Sequence, residues 1–166
     1  MPEIRDIYTR SGQKTGRTFV KGEALAPGEY FLHVVVLLQG RGGKYLLQQR
    51  ALNAKHFPGR WDVTGGGVTS GEDSRDAAAR EVREELGLTF DAAQLVYGGR
   101  ILQNDAYHLD MYGAKGDFTE ADCKFNPREV NAVRLADFDE FAGIVSYNKD
   151  DAFMRLQEHV RRLLEG

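Results

Sequence analysis

GGVTSGEDSRDAAAREVREELGL, Gly66 to Leu88, is the stretch on which the reading of this chain turns. Residues 73–86 read as a helix, with Asp73 placed to cap its first turn and Gly87 to end it in a left-handed conformation. On a wheel of about 3.6 residues per turn, Glu81, Glu84 and Glu85 share one face. Ala79, Val82 and Leu86 form a different, apolar face that can bury against a sheet. Arg80 sits at the edge of the acidic face, four residues before Glu84. Like charges at these spacings repel by roughly a few tenths of a kcal/mol each. Such a face is either simply solvated, as charged surfaces usually are, or gathered round a cation. Carboxylate oxygens are the donors a hard divalent ion prefers. Just upstream, Gly65 to Gly67 allow the backbone to approach closely and aim a carbonyl or amide at an ion or phosphate, although a glycine triplet is also common in turns and bulges.

Working outward, residues 4–9 and 17–21 read as short strands around the turn SGQKTG. FLHVVVLL is β-branched and strand-like, GRGG a hairpin turn, and KYLLQQR its returning strand. Residues 51–60 form a polar loop punctuated by Pro58-Gly59, and WDVTGGGV two very short strands. A second hairpin, 94–103 and 106–114, turns at Asn104-Asp105. A polar loop, a strand at 129–135 and helices at ADFDEFAG and about 149–165 complete the chain. Strands and helices mix without regular βαβ alternation, so the expected class is α+β, an α/β/α sandwich.

The 166 residues suit one domain, 1–166, with residues 1–29 as its N-terminal hairpin extension. A net charge of -3 argues against non-specific binding of a nucleic-acid polymer. A polyanionic substrate therefore needs a locally positive site or a bound cation. Cys123 is the only cysteine, so no internal disulfide is possible. The longest apolar run, Val34 to Leu38, is too short to span a bilayer, and MPEIRDIYTR lacks the apolar core of a signal peptide. The expectation is a cytoplasmic protein with no membrane partner.

The opening stretch resembles the Nudix box at every fixed position: Gly66, Glu72, Arg80-Glu81-Val82, Glu84-Glu85 and Gly87-Leu88, at the family's spacings. A random chain of this length would match all of them on the order of once in ten million. The resemblance implies a mixed sheet between helices and hydrolysis of a diphosphate linkage with magnesium or manganese. It also implies roles. Glu81, Glu84 and Glu85 resemble the metal-binding carboxylates, Arg80 the arginine that holds them, and Glu72 a support for the loop. The Gly65 or Gly66 carbonyl resembles a further ligand. Glu129, five residues before Arg134, occupies the place of a carboxylate that many members add; a strand-edge surface charge is the plain alternative.

Residues 4–67 more loosely resemble the Nudix branch related to isopentenyl-diphosphate isomerase. That enzyme needs a cysteine within the stretch occupied here by Asp62 to Gly66 and a histidine-rich metal site; this chain has neither. A non-catalytic nucleotide sensor is a further alternative, disfavoured because every box glutamate is kept. Arg50, Lys55 and Arg60 are candidate phosphate clamps, and Phe57 and Trp61 candidate stacking residues; each also has a plain reading, as solvated loop charge or core. Tyr30 and His33 read as strand packing. Phe153, Leu156, Val160 and Leu163-Leu164 make the last helix a packing helix or a homodimer surface. The expected partner is a small phosphorylated substrate.

Overall fold

The structure, a computed structural model, describes residues 1–145 and 149–166. The element order is β1 (Ile4–Tyr8), β2 (Lys14–Val20), β3 (Leu32–Gln39), β4 (Tyr45–Arg50), β5 (Trp61–Asp62), β6 (Thr64–Gly67) and α1 (Ser74–Leu86). There follow β7 (Val96–Gln103), β8 (Tyr107–Lys115), β9 (Val130–Ala136), α2 (Phe138–Val145) and α3 (Asp151–Glu165). The larger sheet runs β5-β4-β3-β8-β7, with β6 added to β3 and β9 to β4. It is mixed, because β3 and β8 pair in parallel while the other pairs are antiparallel.

The unbroken apolar run Val34 to Leu38 marks the centre, since a strand covered on both faces has no polar side to show. Val34, Val36 and Leu38 face one layer, where they join Val82 and Leu86 of α1. Val35 and Leu37 face the other, with Phe141 of α2 and Phe153, Val160 and Leu164 of α3. The α/β/α sandwich follows from this alternation. Among the described residues, no helix is long and apolar enough to cross a membrane.

Two local expectations are corrected. The hairpin expected from FLHVVVLL and KYLLQQR pairs only at Gln39 and Tyr45. Beyond that point β3 takes β6 as its neighbour, His33 to Val36 against Gly67 to Thr64, and β4 turns away to β5 and β9. The glycines explain why: a Cβ on Gly65 would stand 2.4 Å from the Val34 carbonyl oxygen. Only a bare backbone fits that edge. Strand β2 also starts at Lys14 rather than at Arg17, because Thr9 closes a tighter turn through its contacts with Gln13.

The β1–β2 hairpin is fastened to the rest at several points. Tyr8 and Tyr30 exchange two backbone hydrogen bonds of 2.7 and 3.0 Å, and the Ser70 N–H donates to the Ile4 carbonyl at 2.7 Å. Asp110, almost wholly buried, accepts two bonds from Arg100, which also donates to the Gly12 carbonyl. Helix α1 begins where Asp73 Oδ1 accepts the Asp76 N–H at 2.8 Å and ends at Gly87, whose φ is 68°.

Candidate functional site

Arg80 organises the acidic end of α1. Its Nη2 donates to Glu72 at 2.6 Å, and its Nη1 donates to Glu81 at 2.9 Å and to Glu84 at 3.1 Å. Nη2 also reaches the Gly67 carbonyl at 3.1 Å, tying the helix to the glycine strand. The hydrogen bond to Glu72, working against desolvation, raises the guanidinium's pKa above its ordinary value. Burial opposes ionisation of Glu72, but Arg80 and the Thr69 N–H outweigh it and hold its carboxyl below the usual range.

Glu81 and Glu85 lie deeper. Glu85 is only 8% exposed, and it is counted with Ala78 and Val82 among the buried residues of α1. That departs from the helical wheel, which set it with the other carboxylates and away from the packing face. Its Oε2 accepts the Gln48 Nε2 hydrogen at 2.7 Å, and Gln48 Oε1 in turn accepts from Thr64 Oγ1 at 2.8 Å. Burial first, and then the charge of Glu81, raise the Glu85 pKa well above the ordinary carboxylate value. Burial raises that of Glu81 as well, against the pull of Arg80. Glu81 is also pressed on the glycine strand, for a Cβ on Gly66 would lie 2.4 Å from its carboxyl carbon. A buried and a half-buried carboxylate held together in this way form a site of high negative potential.

These groups share a cleft of about 570 Å³. Gly65, Gly66, Arg80, Glu81, Glu84, Glu85 and Glu129 all line it. Glu84 is turned toward Arg80 with its side chain 53% exposed. Glu129 comes from the loop before β9, pinned where the Ala51 N–H donates to its carbonyl at 3.0 Å, and its charge is felt by Glu85. Among the described residues no three His, Cys, Asp or Glu side chains are arranged so that together they could hold a metal ion.

Of the five substrate-contact candidates, Arg50 and Lys55 line the cleft, and Phe57, Arg60 and Trp61 do not. Phe57 is exposed, with the Arg60 guanidinium 4.7 Å from its ring centre. Trp61 packs on the α2–α3 side of the sheet under Arg134, whose guanidinium is 5.3 Å away. Both rings are already engaged by an arginine. Several lining residues escaped the sequence reading. Gln48 was one polar residue in an apolar strand, and only long-range pairing reveals its place. His33, read as strand packing, lines the cleft as well as touching Phe31 and Tyr107.

The model of the NUDIX domain matches residues 29–162. The chain belongs to the Nudix family. An uncharacterised Nudix hydrolase of Listeria innocua is 41% identical over 87 residues, 52% of this chain and 52% of that protein. The nucleoside triphosphatase NudI of an Escherichia coli strain is 48% identical over 54 residues, 32% of this chain and 38% of its own. The chain thus spans about half or less of the length of these Nudix relatives. A crystal structure from Deinococcus radiodurans has the same fold with a TM-score of 0.75, covering 96% of this chain and 98% of that one at 23% identity.

Proposed function

We propose that this Nudix chain hydrolyses a diphosphate linkage in a nucleoside diphosphate derivative or a related organic diphosphate, with magnesium or manganese. The observation that carries the proposal is the Glu81–Glu85 pair in the cleft, Glu85 buried and Glu81 pressed on Gly66. The donor set fits a hard cation: carboxylate and carbonyl oxygens only, crowded at a cost that a divalent ion removes. Glu81, Glu84, Glu85 and the Gly66 carbonyl would hold the ion, with Glu129 completing the set across the cleft. Bound there, it neutralises phosphate charge and acidifies water.

The chain's own groups do the rest. Arg80, fixed by Glu72, keeps Glu81 and Glu84 from spreading into solvent. Gln48 orients Glu85. Arg50 and Lys55 offer positive charge to the phosphates along the wall. Water attacks one phosphorus, the bridging P–O bond breaks toward the leaving phosphate, and a cleft carboxylate accepts the proton. Cys123 is buried away from the cleft, with its thiol facing the Thr119 carbonyl, so isomerisation by cysteine acid–base chemistry has no group to carry it here.

Incubating the protein with a phosphorylated-metabolite panel and magnesium or manganese tests the reading. Turnover of a diphosphate that falls at least a hundredfold in Glu85→Gln supports it. Conversion of isopentenyl diphosphate without phosphate release would favour the isomerase, and tight binding without turnover a sensor.

A further inference from the structure

Glu85 belongs to helix α1, but the groups that hold its carboxylate come from two strands. Gln48, on β4, donates from Nε2 to Glu85 Oε2 at 2.7 Å, and Thr64, on β6, donates from Oγ1 to Gln48 Oε1 at 2.8 Å. All three side chains are buried: Thr64 is 1% exposed, Gln48 7% and Glu85 8%. Gln48 and Glu85 line the cleft, whereas Thr64 does not. The hydroxyl therefore sits one step behind the site, out of reach of whatever occupies the cleft.

The course of the chain explains the meeting. Trp61 and Asp62 pair with Gln49 and Gln48 on β4, and Thr64 to Gly67 pair with Val36 to His33 on β3. Between Asp62 and Thr64 the segment crosses from one strand to the other, in the split that β3 and β4 open after Gln39 and Tyr45. The Gln48 backbone is held on both sides, opposite Asp62 and Val133, and that of Thr64 is held opposite Val36. Only side-chain torsions remain to decide where the Gln48 amide points.

A primary amide has an accepting end and a donating end of nearly equal size, so shape alone does not orient it. Its partners do. An ionised Glu85 can only accept, and an ionised Glu81 repels it, so a donor is needed to keep the carboxylate in place. Gln48 can supply that donor only while its own buried oxygen is satisfied elsewhere, since a buried acceptor without a partner is costly. Among the described residues Thr64 is the partner that does so. Its hydroxyl also polarises the amide, which strengthens the N–H bond to the carboxylate.

We propose that Thr64 is a positioning residue of the cation site: acting through Gln48, its hydroxyl holds the Glu85 carboxylate beside Glu81 and so raises the affinity for a divalent ion. An oxygen held in advance loses little freedom when an ion binds, which is how groups behind a metal site tune its affinity. The inference rests on the hydrolase reading for what the ion does, but the relay itself is testable in metal-free protein.

Thr64→Val keeps the branched shape and removes the hydroxyl, Thr64→Ser keeps the hydroxyl, and Gln48→Leu removes the link. In EDTA, Thr64→Val lowers the Tm by several degrees in the wild-type background but does not lower it in Gln48→Leu, where the hydroxyl has no amide to bond. With manganese, followed by electron paramagnetic resonance of the free ion, Thr64→Val raises the Kd at least fivefold and Thr64→Ser stays within twofold of wild type. On top of Gln48→Leu, Thr64→Val adds less than twofold. In magnesium-dependent turnover Thr64→Val lowers kcat and leaves KM within twofold, because Thr64 does not line the cleft. If Thr64→Val does not fold, Thr64→Ala read against Thr64→Ser makes the same comparison with the methyl group absent from both. Equal Tm losses in the two backgrounds, or a manganese Kd for Thr64→Val within twofold of wild type, overturns the relay. If that happens while wild type turns over a diphosphate, the hydrolase reading stands without it. If wild type turns over nothing yet the Tm cycle and the manganese Kd respond as described, the hydrolase reading fails and the relay stands.

Discussion

Glu85 concentrates the physics of the site in one side chain. Its folded pKa is raised by burial and by Glu81, so the folded state holds protons more tightly than the unfolded chain does. A group of this kind contributes stability at low pH and loses it as pH rises through the folded pKa. In chelator, the protein's Tm is therefore expected to rise as pH falls from 8 toward the raised pKa of the pair. Glu72, shifted the other way, withdraws its contribution only in a more acidic range, as pH falls through its lowered value. Glu85→Gln removes the buried charge, keeps an oxygen for Gln48, and should stabilise the metal-free protein at pH 8 by about 1–2 kcal/mol. That corresponds to a rise of roughly 2–8 °C in thermal denaturation. A lower Tm in the variant would show that the carboxylate is already compensated without metal. Gly66 offers a complementary test. Gly66→Ala puts a methyl group where the Glu81 carboxyl sits, and is expected to lower kcat at least tenfold while the far-ultraviolet circular dichroism stays unchanged.

Helix α1 was the most legible element, because its ends are written locally. Asp73 caps it and Gly87 stops it, both at the expected positions. At Gly87 a side chain would meet the Lys124 carbonyl at 2.7 Å on top of the strain of a left-handed residue. Gly87→Ala should cost about 1–3 kcal/mol, measured as a lower urea midpoint at unchanged m-value. What the wheel could not supply was the depth of Glu85. It lies three residues from Val82 and seven from Ala78, at the seam between the acidic and packing faces, and only the partners Gln48 and Thr64 decide which side it joins. How soon β3 and β4 part after their turn was not legible for a related reason. GRGG gives a strong local turn signal, whereas the competing strand β6 arrives from about thirty residues away and wins because its glycines fit where side chains would not.

At the scale of the whole molecule, the sandwich was readable from Val34 to Leu38, since five successive apolar residues need cover on both faces. The attachment of the β1–β2 hairpin was not readable, because it depends on a buried aspartate and its arginine, both distant from the hairpin in sequence. Arg100 satisfies Asp110 and reaches the Gly12 carbonyl, so it links the sheet to the hairpin that carries Arg5. Arg100→Ala leaves Asp110 buried without its cation and should cost about 3 kcal/mol in urea denaturation. Since Arg100 does not line the cleft, manganese affinity of the folded variant is expected to stay within twofold of wild type. Manganese binding also gives the most direct test of the central claim, that the Glu81–Glu85 pair in the cleft is a divalent-cation site. Electron paramagnetic resonance of free manganese, titrated with protein at pH 7.5, should show binding by wild type and a Kd raised at least tenfold in Glu81→Gln/Glu85→Gln. Equal manganese binding by the two proteins would contradict it.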